Sequence, residues 1–410
     1  MTQQRTAVPA VASPFARTRT LRTSDLLILS IGTFTLGMDG FVLSGLLPQV
    51  AASLHVPVSA AGQLTTVFAL VYALGSPVIA ALAGSWDRRA LLAAGMTVFI
   101  AGVVIQATGA TLAVVGTGRV LAALGAAGYQ ATAYSTAGVL SDDAHRARSL
   151  AIVAGGSSVA LVAGLPFGIL VGQEWGWRTA MWVLVALAAL STLAIRLLPP
   201  AHVPRLSLRS RWQALSDRRV LGILLGTVSA LTPAFVIIAY LPEILRTAGT
   251  LVVIAMLAYG AGQVTGTAVV PQVIGRRNAR LALLLGATGV TVFTAALTAT
   301  WTVGAGAIVT MAALGLAVGL TIVPQQHRLF ATVPALAPVA VGLNGSAIYI
   351  GSALGAGVGG VALAIGGRAA ATITAAIIGV LAVTIAAAIV PEQMIARNRP
   401  TPPSRRPDGK

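Results

Sequence analysis

Two ionisable residues of opposite charge, Asp39 and Arg119, lie inside long apolar stretches that otherwise carry no charge. Only 9% of the chain is charged, and a charge within a membrane span is costly, so such residues point to function. Asp39 lies nine residues before Pro48, where the first stretch ends, and Arg119 lies eight residues after Thr111, where the fourth begins. At about 1.5 Å per residue, both are roughly 12–14 Å from the same membrane face. This matching depth predicts either a proton- or ion-coupling site or a structural ion pair.

The chemistry of such a pair follows from solvation. Apolar surroundings favour the protonated form of a carboxyl group, whereas a nearby guanidinium or entering water favours its ionised form. Exposure of Asp39 to the two sides of the membrane in turn would therefore alternate its affinity for a proton. A cationic or polar substrate could compete for the same site and so couple two fluxes. We expect Asp39 to carry the proton and Arg119 to be its counter-charge.

About twelve apolar runs have the length needed to span a membrane and would position these residues. The chain is 56% hydrophobic, far more than a soluble domain, and its 45 glycines allow helices to approach closely in lipid. The sequence therefore predicts an all-α polytopic membrane protein. The runs cover residues 26–48, 60–83, 90–109, 111–138, 148–172, 179–198, 220–241, 250–273, 281–300, 302–325, 338–365 and 370–391.

The distribution of basic residues predicts the orientation of the chain. A net charge of +17 might suggest nucleic-acid binding, but the basic residues lie at the ends of apolar runs instead of forming one patch, which excludes that partner. With a cytoplasmic N-terminus, only Arg178, Arg246 and Arg368 fall in segments on the outer side. Both termini are therefore predicted to be cytoplasmic. The polar start and the full-length first run indicate no cleaved signal peptide, so we expect a multi-pass protein of the cell inner (cytoplasmic) membrane.

The longest inside segment, residues 199–219, divides the chain into two halves. We expect an N-terminal six-helix bundle at 25–198, a cytoplasmic linker at 199–219 and a C-terminal six-helix bundle at 220–391. The tails at 1–24 and 392–410 are predicted to be disordered and cytoplasmic. Within the linker, Arg205, Arg209 and Trp212 share one helical stripe, which predicts either a short helix on the inner leaflet or a solvated connection.

The two halves share short sequence matches at a nearly constant offset. Ala-Leu-Gly at 123–125 recurs at 313–315, an offset of 190. The doublet Arg88-Arg89 recurs as Arg276-Arg277, an offset of 188, and Gly-Ser at 156–157 recurs at 345–346, an offset of 189. Each match falls in the equivalent run or loop. This pattern predicts two parallel repeats with a substrate site between them near the membrane midplane.

Four stretches carry a family resemblance: residues 37–48, with Gly-Met-Asp-Gly at the start; 118–125, with Gly-Arg at the start; 155–178, with Gly-Leu-Pro-Phe-Gly at 164–168; and 344–360, which is rich in glycine. Across about residues 25–391 the chain resembles the major facilitator superfamily, specifically its drug:proton antiporter branch of bacterial chloramphenicol-resistance and arabinose-efflux type permeases. The resemblance implies the major facilitator fold of two six-helix halves, and proton-coupled efflux linked to drug resistance. It also implies an antiporter motif at Gly156, Gly164, Pro166 and Gly168.

The chain departs from the family pattern at two places. Many members of the branch carry a glutamate where this chain has Gly40, so the acid here is displaced by one residue, or about 100° around the helix. The loop at 84–89 also lacks a clean Gly-x-x-x-Asp-Arg signature. The resemblance implies gating by these loops, and inside-facing anchor charges are an equal alternative. The candidate gating residues are Asp87, Arg88, Arg89, Arg276 and Arg277.

Polar and aromatic positions inside the runs are candidates for substrate binding. Gln130 follows Arg119 by eleven positions and so lies within about 20° of the same helical face. For each candidate, a hydrogen bond between helices is an equal alternative. The mixture suits a small amphipathic organic molecule better than a bare ion. The candidates are Gln130, Tyr134, Tyr240, Tyr259, Gln263, Asn344 and Tyr349.

The antiporter motif of the fifth run also has a physical interpretation. Pro166 removes a backbone hydrogen bond and kinks the helix, and the glycines around it permit close contact with a neighbouring helix. Such an interface could seal one side of a cavity against protons. Ordinary helix packing is the alternative, because small residues at this spacing are common in membrane helices.

Taken together, these features predict a secondary active transporter that exports a small amphipathic drug or metabolite by proton-coupled alternating access. An exporter or importer of a sugar, nucleoside or amino-acid-like compound is the alternative within the fold, and a non-transporting membrane sensor or binding protein is the alternative of another class. Without cysteine, a hydrolase triad or a phosphate loop, the sequence predicts no enzyme, cofactor or metal site. The expected partners are a small-molecule substrate, protons and the lipid bilayer, and we expect a monomer.

Overall fold

The computed structural model describes residues 22–82, 86–141, 145–199, 213, 215–246, 250–273, 279–333 and 336–388. These residues fold into helices joined by short turns. The helices are α1 (Thr23–Gly45), α2 (Leu47–Leu54), α3 (Val58–Leu82), α4 (Arg88–Thr108), α5 (Leu112–Val139), α6 (Arg146–Val159), α7 (Leu165–Trp175), α8 (Trp177–Ile195), α9 (Arg218–Leu245), α10 (Thr250–Val273), α11 (Ala279–Thr300), α12 (Gly304–Thr332) and α13 (Ala337–Ala388).

Within these described ranges, eleven helical segments are long and apolar enough to cross a membrane. The last of them, α13, has 52 residues, and at about 1.5 Å per residue it is more than twice as long as a ~30 Å hydrocarbon core. Its backbone leaves helical geometry at Gly366 and Gly367, and Gly367 adopts a φ of 64°, which a residue without a side chain tolerates best. α13 therefore contains two spans, and the prediction of an all-α protein with about twelve transmembrane helices is confirmed.

The first predicted run is divided into two helices. α1 ends at Gly45, the backbone bends at Leu46, and α2 then continues to Leu54, beyond the predicted end at residue 48. Pro48 lies in the first turn of α2, where its missing N–H leaves no intrahelical hydrogen bond unmade. The break therefore comes just before the proline at which the first run was predicted to end.

The fifth predicted run is also interrupted, by a π-helical segment at Ala160–Gly164 between α6 and α7. The N–H of Leu165 bonds the carbonyl of Ala160, five residues back, in place of the usual four. Pro166 follows directly, and a proline inside a helix has no N–H and clashes with the carbonyl four residues before it. A π turn is one of the ways in which a helix accommodates such an interruption.

Small residues let α6 and α7 pack closely along α1. A methyl group at Gly156 would overlap the carbonyl oxygen of Ser30, and one at Gly168 would lie 2.7 Å from Cε of Met38. Gly164, eight residues after Gly156 and four before Gly168, also faces α1, because a methyl group on it would lie 3.0 Å from the Phe34 ring. The predicted close contact through these glycines is therefore present, and its partner is α1.

The two halves of the chain, α1–α8 and α9–α13, meet mainly through α3 and α13. We call the end of the bundle where α1 begins the near end, and the end where α1 finishes the far end. Towards the far end, the Tyr240 ring fills the space beside Gly62, and Gln63 Nε2 would lie 2.7 Å from a methyl group at Gly360. Towards the near end of α13, a methyl group at Gly345 would meet no atom of the described residues within 4 Å. The predicted surface helix at 205–212 lies outside the described residues.

Candidate functional site

The site is built on α1 and α5, which are held together by a buried tyrosine. The hydroxyl of Tyr129 on α5 donates a hydrogen bond of 3.1 Å to the carbonyl of Leu29 on α1. Gly32, one turn further along α1, has no side chain and leaves the space that the Tyr129 ring occupies. This contact holds α1 and α5 side by side, and Arg119 lies on the same helix as Tyr129, nearer its start.

Asp39 and Arg119 form an ion pair at the far part of this contact. Nη1 of Arg119 lies 3.0 Å from both Oδ1 and Oδ2 of Asp39, and both side chains are fully buried. Nε of Arg119 donates to the carbonyl of Leu64 on α3 at 3.4 Å, so the guanidinium connects three helices. The matching depths of the two residues in the sequence predicted this pairing, and the contact confirms it.

An aromatic cluster covers the guanidinium and joins the two halves of the protein. Cζ of Arg119 lies 4.2 Å from the centre of the Phe68 ring, within cation–π distance. Phe68 neighbours Tyr72, one turn along α3, with ring centres 6.3 Å apart. Tyr72 in turn stacks on Tyr349 of α13, with ring centres 3.8 Å apart and an interplanar angle of 28°. The rings of Phe68 and Tyr72 thus connect the ion pair of the first half to Tyr349 of the second half.

Two more predicted residues belong to this site. The hydroxyl of Tyr72 donates a 3.0 Å hydrogen bond to Oε1 of Gln130, which lies three turns along α5 from Arg119. Tyr134 lies one further turn along α5, beside Gln130 and Ser157. The structure therefore brings Gln130, Tyr134 and Tyr349 together with the ion pair.

Arg119 retains one unused donor. Among the described residues, no protein atom accepts a hydrogen bond from Nη2, although the side chain is fully buried. Beside the pair, a methyl group built on Gly40 would meet no atom of the described residues within 4 Å. The site thus combines an unsatisfied guanidinium donor with open space on α1 next to Asp39.

Four predicted substrate-binding residues lie elsewhere. The Tyr240 hydroxyl donates to the carbonyl of Ala356 at 2.8 Å, which places this ring in the contact between α3, α9 and α13. Asn344 is buried and accepts a 2.7 Å hydrogen bond from Thr227, so it joins α13 to α9 within the second half.

Tyr259 and Gln263 are the other two. Both belong to α10, and their backbone is in close contact with Gly315 of α12. They are four residues apart and so share one face of α10, and their backbone packs against α12. Neither residue is among those that contact the ion pair.

The candidate gating loop has a capping role at the start of α4. The carboxylate of Asp87 accepts a 3.0 Å hydrogen bond from the backbone N–H of Ala90, which satisfies one of the free donors at the helix start. Arg88 is largely buried, with 7% of its surface exposed, and Arg89 is half-buried. Arg276 and Arg277 lie outside the residues that the structure describes.

Phe68 and Tyr72 were not among the residues predicted from the sequence. Both lie on α3 at a spacing of four residues, so they share one face, and this spacing was the signal available in the sequence. Aromatic residues at helical spacing are equally compatible with a face turned to lipid, and the spacing alone does not identify the neighbouring helix. In the part of the chain that the structure describes, no group of three His, Asp or Glu residues is placed to hold a metal ion.

A family model described as the Major Facilitator Superfamily matches residues 29–356, which include both members of the ion pair and the aromatic residues Phe68, Tyr72 and Tyr349. The chain belongs to the major facilitator superfamily. It is thus a member of a family of membrane transporters, and the resemblance given by its motifs is confirmed at this level.

Relatives in the superfamily span most of the chain. The MFS-type transporter YtbD of Bacillus subtilis (strain 168) is 28% identical over 349 residues, which are 82% of this chain and 87% of the relative. A chloramphenicol resistance protein of Streptomyces lividans is 33% identical over 279 residues, 64% of this chain and 69% of the relative. Both belong to bacteria.

Solved superfamily structures share the fold at much lower identity. The nucleoside transporter NupG superposes with a TM-score of 0.70 at 14% identity, covering 92% of this chain and 100% of that one. The xylose transporter XylE from E. coli, in a partially occluded inward open conformation, gives a TM-score of 0.68 at 16% identity, covering 90% and 98%. These similarities establish the major facilitator fold for this chain.

Proposed function

We propose that this superfamily member is a secondary active transporter that exports a small amphipathic compound in exchange for protons. The observation that carries the proposal is the fully buried pair of Asp39 and Arg119, which lies against an aromatic cluster contributed by both halves. Charged residues inside a membrane protein are costly, and they commonly mark proton relays or substrate pathways. A pair that served packing alone would not need to contact the aromatic bridge of Tyr72 and Tyr349 that connects it to the second half.

In this mechanism Asp39 carries the proton and Arg119 supplies its counter-charge. With Asp39 ionised, both carboxylate oxygens are bound by Nη1 of Arg119, and the pair is neutral. When water reaches the carboxylate from one side, Asp39 can accept a proton and release the guanidinium. A substrate that contacts the released guanidinium, or that displaces it, then favours one protonation state over the other. Exchange of the two ligands at one site gives antiport.

Alternating access requires the two halves to separate at one end while they close at the other. Contacts such as Tyr240 beside Gly62 lie towards the far end, and we place this end outside the cell, with both termini in the cytoplasm. The structure then corresponds to a state that is closed to the outside. In the opposite state, the stacked rings of Tyr72 and Tyr349 would shift against each other, because they belong to different halves. The neighbourhood of the ion pair would change with them.

The antiporter motif contributes the seal in this proposal. Gly156, Gly164 and Gly168 hold α6 and α7 against α1, the helix that carries Asp39, and Pro166 with the π segment sets the bend between them. A tight contact here would exclude water from the back of the proton site. The protein would act as a monomer in the cytoplasmic membrane, with 25–198 and 220–391 as its moving bundles and with the loops at Asp87 and at 276–277 as gates.

The export of a drug-like compound is supported by one relative, which is named as a chloramphenicol resistance protein of Streptomyces lividans. The solved fold neighbours are named as transporters of a nucleoside and of xylose, so a substrate panel should include these classes. The aromatic character of the site around Phe68 and Tyr72 favours a compound with a planar ring over a sugar.

The test is substrate-induced proton release from everted membrane vesicles that contain the full-length protein. Addition of chloramphenicol, a nucleoside or xylose should release protons from energised wild-type vesicles for at least one compound. Asp39→Asn should abolish this release, because its amide cannot take up a proton, while membrane insertion is retained. Asp39→Glu is the control, since it keeps the carboxyl group and should retain part of the coupling. Wild-type proton release by Asp39→Asn would refute Asp39 as the carrier.

A further inference from the structure

We propose that the site beside the ion pair selects planar aromatic molecules that carry no positive charge and present a hydrogen-bond acceptor, and that Gly40 sets this choice. The inference rests on the proposed transport function and adds the substrate class to it. Four observations on the site support it: its charge balance, the unused donor of Arg119, the rings from both halves, and the open space at Gly40.

The charge balance of the site disfavours cations in both protonation states. When Asp39 is ionised, its two oxygens are 3.0 Å from Nη1 of Arg119 and the pair has no net charge. When Asp39 is protonated, the positive guanidinium remains. The other described groups at the pair, the Leu64 carbonyl and the Phe68 and Tyr349 rings, are uncharged. A cation bound here would lack a free counter-charge in a poorly solvated place, which is unfavourable.

The unused donor specifies what the ligand must offer. Nη2 of Arg119 is fully buried and has no hydrogen-bond acceptor among the described residues. A buried donor without a partner is costly, and a ligand oxygen that accepts from it would remove this cost. A guanidinium N–H only donates, so the matching ligand group is a carbonyl, hydroxyl, nitro or similar acceptor.

The rings beside the guanidinium favour a flat, aromatic ligand. Phe68 lies under Cζ of Arg119, and the rings of Tyr72 and Tyr349 lie 6.3 and 6.5 Å from Phe68. Tyr72 and Tyr349 come from different halves, so a movement of the halves that separated these two rings would open a gap between their faces. A planar aromatic group can occupy such a gap and stack on both rings.

The space for this ligand lies at Gly40. Asp39 faces α5, and Ser44 faces Thr65 of α3 at 3.4 Å. Successive helical residues are about 100° apart, which places Gly40 at an angle between those of Asp39 and Ser44. Gly40 therefore faces the region between α5 and α3, where a methyl group on it would meet no atom of the described residues within 4 Å. A side chain at this position would share the space with the ligand and could supply the negative charge that the site lacks.

The test compares two probes that share one ring system, para-nitrobenzyl alcohol and para-nitrobenzyl-trimethylammonium. Binding is measured as ligand-induced thermal stabilisation of the purified full-length protein in detergent. The wild type should bind the alcohol and bind the cation at least about tenfold more weakly, a ratio equal to a difference of about 1.4 kcal/mol. Phe68→Ala should weaken binding of the alcohol, because it removes the ring below the guanidinium.

Substitution of Gly40 tests the origin of the selectivity. Gly40→Glu adds a carboxylate beside the pair, so the affinity for the cation should rise by roughly tenfold, since opposite charges attract strongly in a poorly solvated site. Gly40→Gln is the matched control, because it has the same size without the charge. It should weaken binding of the alcohol by filling the space and should give no gain for the cation.

Several results would overturn the inference: wild-type binding of the cation as tight as that of the alcohol, binding of neither probe, or an equal gain for the cation in Gly40→Gln and Gly40→Glu. The proposed function fails differently. If the alcohol binds selectively but no substrate releases protons from vesicles, the antiport proposal is wrong and the binding inference stands. If vesicles export the cation in exchange for protons, the antiport proposal stands and the inference is wrong.

Discussion

The fourth span of the first half, α5, and its counterpart in the second half, α12, contain the same short motif but differ in the side chains that they place at equivalent positions. At the offset of 190 that aligns residues 123–125 with 313–315, Arg119 corresponds to Val309. Arg119 is fully buried and paired with Asp39, whereas Val309 is 68% exposed on the outside of the bundle. The counterpart of Asp39 is Ser229, whose hydroxyl bonds the carbonyl of Gly226 in its own helix.

The shared glycine of the motif packs against different neighbours in the two halves. A methyl group at Gly125 would overlap the backbone of Phe99 on α4, whereas one at Gly315 would overlap the backbone of Tyr259 on α10. α10 is the counterpart of α3, not of α4. In the first half, α5 therefore closes on α4 and presents its Arg119 face to α1 and α3. In the second half, Gly315 of α12 packs against α10, the counterpart of α3, which borders the ion pair in the first half.

This contrast shows how one repeat can hold charge while the other stays neutral. Among the described residues of the second half, the buried polar side chains are uncharged Thr, Ser, Asn and Gln groups. Its contribution to the site is the ring of Tyr349. Movement of a neutral half past a fixed ion pair changes the surroundings of the pair without moving a buried charge, which is the less costly arrangement in a membrane.

Removal of one member of the ion pair should destabilise the protein most. Arg119→Ala leaves the Asp39 carboxylate buried without its partner, which typically costs about 3–5 kcal/mol. Val309→Ala, the same position in the second half, should cost under about 1 kcal/mol, because its side chain is mostly exposed. Both are measured as unfolding free energies in detergent.

A double mutant controls this comparison. Arg119→Ala combined with Asp39→Asn should be less destabilised than the sum of the single losses, because residues in direct contact do not act independently. Additive losses would show that the two side chains stabilise the fold separately. Equal costs at Arg119 and Val309 would remove the contrast between the halves.

The ion pair could be predicted from the sequence for a simple physical reason. Depth along a helix follows from residue count at a fixed rise, so counting residues from the ends of two runs was enough to place Asp39 and Arg119 at one level. Periodicity in the same way gave the spans. It also gave the shared face of Arg119 and Gln130, which the bond from Tyr72 to Gln130 places beside the site.

What could not be predicted is which neighbouring helix a given face meets. Tyr240 and Asn344 were polar or aromatic positions inside runs, like Tyr349, yet only Tyr349 lies at the ion pair. The motif glycines show why, since Gly125 packs against α4 whereas Gly315 packs against α10, the counterpart of α3. The π segment before Pro166 was also missed, because a proline predicts an interruption but not its geometry.

The bend in α6–α7 gives the next effect, on transport more than on stability. The second-half counterpart of Pro166 is Ala356, within an uninterrupted stretch of α13, so the proline is specific to the half that holds the charge. Pro166→Ala should restore a backbone hydrogen bond worth about 1 kcal/mol and straighten the helix. The contact with α1 at Gly164 and Gly168 would then loosen.

We expect passive proton leak in proteoliposomes to rise, or substrate flux to fall, by a few-fold in Pro166→Ala, with stability unchanged or increased. Gly168→Ala is the companion variant, because its methyl group would press on Met38 and Val42 and loosen the same contact without changing the proline. Wild-type leak and flux in both variants would reduce this motif to ordinary packing.

The smallest effect concerns two arginines that do correspond between the halves, Arg178 and Arg368, at an offset of 190. Arg178 donates to Oγ of Ser53 at 2.6 Å and to the carbonyl of Gly109 at 2.8 Å, and it lies over the Trp177 ring at 4.4 Å. It thereby ties the start of α8 to the end of α2 and to the turn before α5.

Arg368 has the same kind of position with weaker contacts. Its Nη1 donates to the carbonyl of Ile244 at 3.4 Å, and its guanidinium lies over the Trp301 ring at 4.4 Å. Ile244 corresponds to Leu54, next to Ser53, so each arginine fastens the sixth span of its half to the end of the first. Both halves have this link. In the half that holds the ion pair it consists of two hydrogen bonds of 2.6 and 2.8 Å, and in the other half of one of 3.4 Å.

Lysine at these positions keeps the charge and loses the planar fork and the stacking. Both arginines are half-buried, so solvent screening limits the losses to about 1 kcal/mol for Arg178→Lys and about 0.5 kcal/mol or less for Arg368→Lys. The unfolding free energies of the two variants, measured side by side in detergent, give the order. A larger loss at Arg178 would mean that the first half is held more rigidly around its buried charges. A larger loss at Arg368 would instead mean that the neutral half is held more rigidly. The ion pair would then lie in the more deformable half.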